Sequence, residues 1–303
     1  MSAVRTVLGD VPPADLGVCD SHDHLFLRSP QLPGQALDDV PAAGAELRLY
    51  RESGGRTVVQ WTPYGLGRRA DALAGPARSS GVTVVAATGL HQAAHYDRAL
   101  LDGVRDRLAD LFVGELTRGM DDGTAPRAGM IKVAGGFHGL DEHARRVMSA
   151  AARAYHETGA PIGVHLELGT AALDVLDLLC GELGVPPARV ILGHLNRSPD
   201  LRVQRKAAEA GAFLAFDGPS RANHATDWRL LDSLAALVDA GHAERLLLGG
   251  DTTTAAARAA TGGGPGMAFL LRRLWPALAG ELGEAIAEKI FVTNPARAFQ
   301  VDW

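Results

Sequence analysis

The sequence predicts an α/β protein built as a single (β/α)8 TIM barrel with a short N-terminal extension, on three observations. Eight short apolar or β-branched runs recur with helical stretches between them, the pattern of βα units around a parallel sheet, and eight such units close a barrel. The length of 303 residues suits one barrel, which commonly needs about 250, so residues 1–303 are expected to form one domain. Charged and metal-ligating side chains recur at the carboxyl ends of the apolar runs, where barrels place their working loops.

In chain order, residues 5–17, with Pro12 and Pro13, are expected to pack outside the barrel as a short hairpin or a lid over its base. Strands are expected at 17–22, 56–61, 82–88, 129–134, 161–166, 189–194, 212–217 and 245–250. Between them, 140–158 is alanine-rich with helical apolar spacing and stops at Gly159. Likewise 171–183 stops at Gly184 and 226–240 at Gly241, each glycine suiting a helix C-terminus. Asp141 and Asp227 stand where first helical turns favour acids. Residues 26–55 and 252–266 are longer connections than a plain barrel requires, and substrate contacts are expected there.

Composition excludes several classes. Apolar residues make up 47% and charged ones 21%, which allows a large core in a water-soluble protein. A net charge of −5 without a basic stripe argues against a nucleic-acid partner. No apolar run approaches about 18 residues, and the first residues lack an apolar signal region, so neither membrane insertion nor secretion is expected. The only cysteines, Cys19 and Cys180, are spaced like neither a disulfide framework nor a zinc ribbon, and two reduced thiols in a cytoplasmic protein are expected.

Lys132 stands in the apolar stretch 128–134, where a buried strand should carry no charge. A lysine costs several kcal/mol to bury unless it is paired or chemically altered. His22 and His24 alternate in a run whose residues two apart point to one side, so both can grip one ion. His165 and His194 close two later runs, and Asp251 closes another. Taken singly, each has an ordinary reading: an incidental His-x-His, a histidine capping a strand, an aspartate in a turn after glycines. Their joint placement at successive strand ends argues for a metal centre. Imidazole and carboxylate without thiolate suit zinc, or its neighbours manganese, cobalt and iron, in a working site.

A neutral lysine amine can add carbon dioxide to become N6-carboxylysine, whose two anionic oxygens could bridge two cations, and burial favours the neutral amine that this step needs. Two divalent ions held roughly 3.5–4 Å apart would share a hydroxide nucleophile. Four neutral histidines, the carbamate, the Asp251 carboxylate and the hydroxide would leave such a pair with one net positive charge, suited to polarising a carbonyl or phosphoryl oxygen. Asp251 is placed to take the hydroxide proton and pass it to the leaving group. The catalytic roles therefore fall to Asp251 and Lys132.

In that order, His22-x-His24, Lys132, His165, His194 and Asp251 resemble the phosphotriesterase family of the amidohydrolase superfamily. The flanking words agree: Leu16-Gly17, the stretch 128–133, Gly193-His194, and Val292-Thr293-Asn294-Pro295-Ala296-Arg297. The likeness runs from about residue 6 to residue 299. It implies that His22, His24 and Asp251 hold the more buried of two metals, that His165 and His194 hold the more exposed one, and that carboxylated Lys132 bridges them. It also implies a small-molecule substrate and a homodimer.

Relatives in that family cleave phosphotriesters or hydrolyse lactones, and the details here lean towards a lactonase. The strand ends are light in aromatics and offer polar groups instead, with His91, His138, Arg197 and Arg221 as the expected substrate contacts. The run 194–200, the turn at 216–219 and the glycine-rich 262–266 resemble a branch that includes phosphorylated sugar lactonases. That branch carries basic and tyrosyl side chains after the last-strand aspartate, whereas here Thr252–Ala257 follow it and Arg258 is the first cation. The expected activity is hydrolysis of a sugar-acid lactone, with or without phosphate, by a metal-bridging hydroxide. The alternatives are an organophosphate or carboxylic ester hydrolase on the same centre, or a Schiff-base aldolase using Lys132, which would leave the metal ligands unexplained.

Overall fold

A computed structural model describes residues 2–218 and 225–303. Val4–Thr6 (β1) and Gly9–Val11 (β2) form an antiparallel hairpin with Val4 opposite Val11. Eight parallel strands follow: β3 (Cys19–Asp23), β4 (Thr57–Gln60), β5 (Thr83–Gly89), β6 (Met130–Ala134), β7 (Ile162–His165), β8 (Val190–Gly193), β9 (Phe213–Asp217) and β10 (Leu246–Gly249). Each pairs with the next in sequence, the order expected of a (β/α)8 barrel, and each expected strand appears within one or two residues of its forecast start. β10 comes back against β3, where the Asp251 N–H donates to the His22 carbonyl at 2.8 Å. Gly249 makes that approach possible, since a Cβ there would lie 2.6 Å from His22 backbone atoms.

The strands read as continuous apolar runs because both of their faces are buried. Val59, Val85, Met130, Phe213 and Leu247 point into the barrel, while their neighbours Val58, Val84, Ile131, Leu214 and Leu246 point out towards the helices. The inner cluster is completed at the base by Val4 and Leu16 from the N-terminal segment and by Ala298 and Phe299 from the last helix, Asn294–Phe299. The hairpin docks on this end, with the Val7 N–H donating to the Val84 carbonyl at 2.9 Å and Arg5 stacked on Trp303. It is therefore a hairpin at the base, as residues 5–17 suggest.

Helix boundaries follow local chemistry. The Asp141 carboxylate accepts from the Ala144 N–H and opens the helix Glu142–Thr158, which Gly159 ends at φ +74°. The stretch ending near Gly184 begins as an α-helix at Ala172–Leu176 and widens to π-type winding over Asp177–Glu182. The long connection after β3 carries the helix Val40–Glu52, capped by Asp39, and before it a strap held across the mouth by the Leu27–Leu37 bridge. No helix among the described residues is long and apolar enough to cross a membrane.

Candidate active site

The barrel brings together all six residues expected to ligate metal. His22 comes from β3 and His24 from just past it, Lys132 from β6, His165 from β7, His194 from just past β8 and Asp251 from just past β10. A bulge tunes the first pair: Cys19 and Asp20 pair with Thr57 and Val58, yet Asp23 pairs with Gln60, so β3 holds one extra residue. The bulge shifts the phase of alternation, which lets Cys19 face the inner core while His22 and His24 both face the site. His194 at φ +65° and Asp251 at φ +54° hold left-handed backbone. Such conformations cost of order 1–3 kcal/mol each and persist where the surroundings enforce them.

Three of the four imidazoles are held by a hydrogen bond from behind, and a carboxylate faces the fourth. The Thr62 hydroxyl donates to the Phe26 carbonyl at 2.6 Å, so at 2.7 Å from His24 Nδ1 it accepts the ring proton and leaves Nε2 with its lone pair inward. His194 Nδ1 is hydrogen-bonded to Asp217 Oδ2 at 2.6 Å, and His22 Nδ1 lies 3.1 Å from Asp217 Oδ1 outside hydrogen-bond geometry, so one buried carboxylate faces two rings. His165 presents the opposite edge: its Nε2 meets Glu167 Oε2 at 3.1 Å, and Gln92 steadies that carboxylate at 2.9 Å. The inward nitrogens are then Nε2 of His22, His24 and His194 and Nδ1 of His165, the last two 2.8 Å apart. His22 and His24 Nε2 stand 3.7 and 3.4 Å from Asp251 Oδ1, a grouping that could hold a cation. Backing acceptors of this kind are what metal-ligating histidines require, and the donor set fits a pair of divalent ions.

Burial sets the protonation states. It pulls His22 down to about 4 against the opposing pull of Asp217, and His165 down to about 3 with help from His194. Burial also lowers Lys132 to about 7, with Asp251 opposing. Burial raises the Asp251 carboxyl, but the His24 hydrogen bond and the charges of His194 and His22 outweigh it and hold the group well below the carboxylate range. Neutral His22 and His165, an ionised Asp251 and a readily deprotonated lysine are ligand forms a metal needs, whereas for His194 burial is outweighed by the charge and hydrogen bond of Asp217, which raise it.

Trp61 forms the floor. Its indole stacks on His22 with centroids 4.0 Å apart, and its Nε1 donates to the Ser21 carbonyl at 2.8 Å. Gly163 and Gly193 make room, because a Cβ on either would lie 2.9 or 3.3 Å from the indole. Trp61 is thus interior support and not part of the pocket mouth. Above the ligands opens a cavity of about 270 Å³. Leu27, Leu32, Pro63 and Leu66 make one apolar wall, and Ser29, His91, His95 and Glu167 face it.

The expected substrate contacts fare differently. His91 lines the cavity, its ring 4.6 Å from that of His165. His138 does not: at φ +56° it is exposed and packs against Phe137 on the rim. Arg197 does not line the cavity but lies beside it among carboxylates, 3.4 Å from Asp227, 3.7 Å from Asp217 and 3.8 Å from the cavity residue Asp251. Arg258 is buried with its guanidinium on the Leu25 carbonyl. Arg221 lies outside the described residues. Sequence reasoning missed Thr62, Asp217 and Glu167; the one available signal was their position at or just after strand ends, two residues past His165 in the case of Glu167.

The sequence profile of the phosphotriesterase family matches residues 2–299. The chain belongs to the phosphotriesterase family. A phospho-furanose lactonase from Mycoplasmopsis agalactiae is 36% identical over 253 residues, covering 76% of this chain and 70% of that one. The crystal structure of a lactonase from Listeria monocytogenes superposes with a TM-score of 0.90 at 28% identity over 98% of each chain. The phosphotriesterase homology protein of Escherichia coli, with phosphate in its active site, gives a TM-score of 0.88 at 29% identity over 94% of this chain and 99% of that one. Membership makes this a metal-dependent hydrolase of a small-molecule substrate and agrees with the fold expected from the sequence.

Proposed function

We propose that the chain, as one binuclear-metal hydrolase domain over residues 1–303, opens the ring of a lactone, the substrate being a sugar-acid lactone with or without phosphate. The observation that carries this reading is the convergence of four histidines on Asp251 and Lys132 in one cavity, three of them held by a backing hydrogen bond. In this reading His22, His24 and Asp251 hold one ion, His165 and His194 a second, and Lys132, as N6-carboxylysine formed with carbon dioxide, joins them. Zinc suits the donors best, with manganese, cobalt or iron as substitutes. When bound, the ions supply a hydroxide nucleophile at neutral pH and polarise the carbonyl.

The protein's own residues do the rest. Asp251 takes the proton of the attacking group and delivers it to the ring oxygen as the acyl C–O bond breaks, so lactone and water become a hydroxy acid. His91, buried on the polar wall, contacts the substrate's hydroxyls, and Arg221 is the remaining candidate for an anionic substituent. The relatives' names support lactone over organophosphate, and five metal-suited side chains around Lys132 oppose a Schiff-base aldolase. A cytoplasmic homodimer without a nucleic-acid partner completes the reading, in keeping with the mild charge.

The test is elemental analysis of protein purified without chelator, with a lactone panel read by proton release and phosphorylated sugar lactones included. About two metals per chain with turnover is the expected result. Two metals without turnover would reject the substrate class, and no metal would reopen the Schiff-base alternative.

A further inference from the structure

Arg258, like Lys132, is a cation buried in the fold, at 1% exposure. Its guanidinium meets the neutral Leu25 carbonyl, its Nε has no hydrogen-bond partner among the described residues, and Glu46, Asp23, Asp39 and Asp38 offset its charge from farther off. Burying a charge on such terms is costly, so the contact with Leu25 calls for a reason. Leu25 follows His24 where the chain leaves the sheet past β3 and its peptide groups lose their ladder partners. Buried side chains replace them: the Leu25 N–H donates to Gln60 Oε1 at 2.5 Å, and the Leu25 carbonyl accepts from Arg258. On the other side of His24 in sequence, Asp23 Oδ1 accepts the His24 N–H at 2.7 Å and the Thr252 N–H at 3.0 Å, Thr252 being the residue after Asp251. The loop after β10 is thus tied to both neighbours of His24.

Arg258 is itself held in place. Its carbonyl accepts the Gly262 and Gly264 N–H groups at 3.0 and 3.1 Å, and the Ala257 carbonyl accepts the Gly266 N–H at 2.9 Å, which winds the segment into a knot. A Cβ on Gly262 would lie 2.2 Å from the Ala255 carbonyl oxygen, so the knot needs glycine there. With these amides occupied, the glycine-rich stretch is a support and not an anion loop. Glu46, fully buried on the helix Val40–Glu52, grips the knot from outside: Oε2 accepts the Ala260 N–H and Oε1 the Met267 N–H, both at 2.9 Å.

We propose that Glu46 and Arg258 are positioning residues for the ligands His24 and Asp251. Glu46 fixes the loop, the loop sets Arg258 on Leu25, and His24 Nε2 is thereby kept 3.4 Å from Asp251 Oδ1. Neither residue lines the active-site cavity. The inference rests on the metal-centre reading, in which His24 and Asp251 share an ion.

The experiment titrates cobalt-loaded protein with a chelator, read by visible absorption and elemental analysis, for the wild type, Arg258→Met, Glu46→Gln and the double variant, with Phe299→Ala as a control destabilised at the base. The wild type should hold about two ions per chain. Each single variant should weaken one ion by about ten-fold per folded chain, with a shifted absorption band, and leave the ion held by His165 and His194 unchanged. The double variant should lose no more than Arg258→Met alone, because both residues act through one loop. Wild-type affinity in both single variants, equal weakening of the two ions, or the same loss in Phe299→Ala would overturn the positioning role. If Arg258→Met does not fold, Glu46→Gln decides alone, since it keeps the shape and one acceptor oxygen. A wild type that holds no cobalt rejects the metal centre and the positioning role together, whereas two ions bound alike in wild type and variants reject the positioning role only.

Discussion

The two ends of the barrel are built from opposite materials. The base is sealed by Val4, Leu16, Ala298 and Phe299 packed on the inner strand residues, and what holds it is apolar burial. The mouth buries His22, Lys132, Asp217 and Asp251, keeps His194 and Asp251 in left-handed backbone, and packs carboxylates and imidazoles in place of methyl groups. Burying polar and charged groups costs free energy unless every partner is supplied. One end therefore supplies stability that the other spends on a reactive centre, and the two should respond differently to substitution.

The largest difference is expected at Asp251. Asp251→Asn removes the proton acceptor and a ligand and should lower kcat by about 10³-fold, and it should also lower the melting temperature of the metal-free protein, because the His24 hydrogen bond and the charges of His194 and His22 favour the ionised carboxylate in the folded state. A melting temperature that stays level or rises would mean that the mouth gains no stability from its charge pairs. The converse substitution lies at the base. Phe299→Ala should cost about 3–5 kcal/mol of stability in denaturant titration and leave metal content per folded chain unchanged. Loss of metal in that variant would show that the ends are not separable.

A smaller effect distinguishes ligands from the residues behind them. Asp217→Asn leaves all six proposed ligands in place but weakens the acceptor that both His22 and His194 face. Metal affinity in a competition titration should drop about 10–100-fold, with kcat at saturating metal reduced less than in Asp251→Asn. Unchanged affinity would remove Asp217 from the centre.

The same division explains what could be read from the chain. The strands were legible because both faces of a parallel sheet are buried, which leaves unbroken apolar runs such as 129–134 and 245–250, and the ligands were legible because they interrupt or close those runs. The acceptors were not: Asp217 ends β9 as an aspartate before a glycine, like many turn residues, and Thr62 follows β4 without any marked pattern. Only the fold brings Thr62 to His24 and Asp217 to rings on two other strands. The placement of His138 and Arg197 was hidden for a related reason. A position after a strand places the backbone at the mouth but leaves direction open, and a left-handed turn at His138 and three carboxylates around Arg197 decided it. The bulge in β3 was equally hidden, since alternation alone would set Cys19 and His22 on opposite faces.

The finest test of the comparison is the pH dependence of stability in metal-free, degassed protein. His22 and His165 are lowered to about 4 and about 3 from an ordinary value near 6.5, so between those values the unfolded chain binds more protons than the folded one. Stability then rises with pH across that window and is lost as pH falls through it. Lys132, lowered to about 7 from 10.5, acts with the same sign at higher pH: the folded state prefers the neutral amine, so its contribution grows from about 7 towards 10.5. Burial raises Asp23 to about 6 and Asp20 well above its ordinary value, and these act with the opposite sign in the lower window, as does His194, raised by Asp217, against the lysine, so each contribution is read as a difference from a variant that lacks it in the lower or the upper window. Lys132→Met should flatten the upper one and leave the lower intact, whereas Phe299→Ala should shift the whole curve down without changing its shape. If Lys132→Met keeps the upper slope, the lysine is charged in the folded protein, and it would no longer be available as the neutral amine that carboxylation requires.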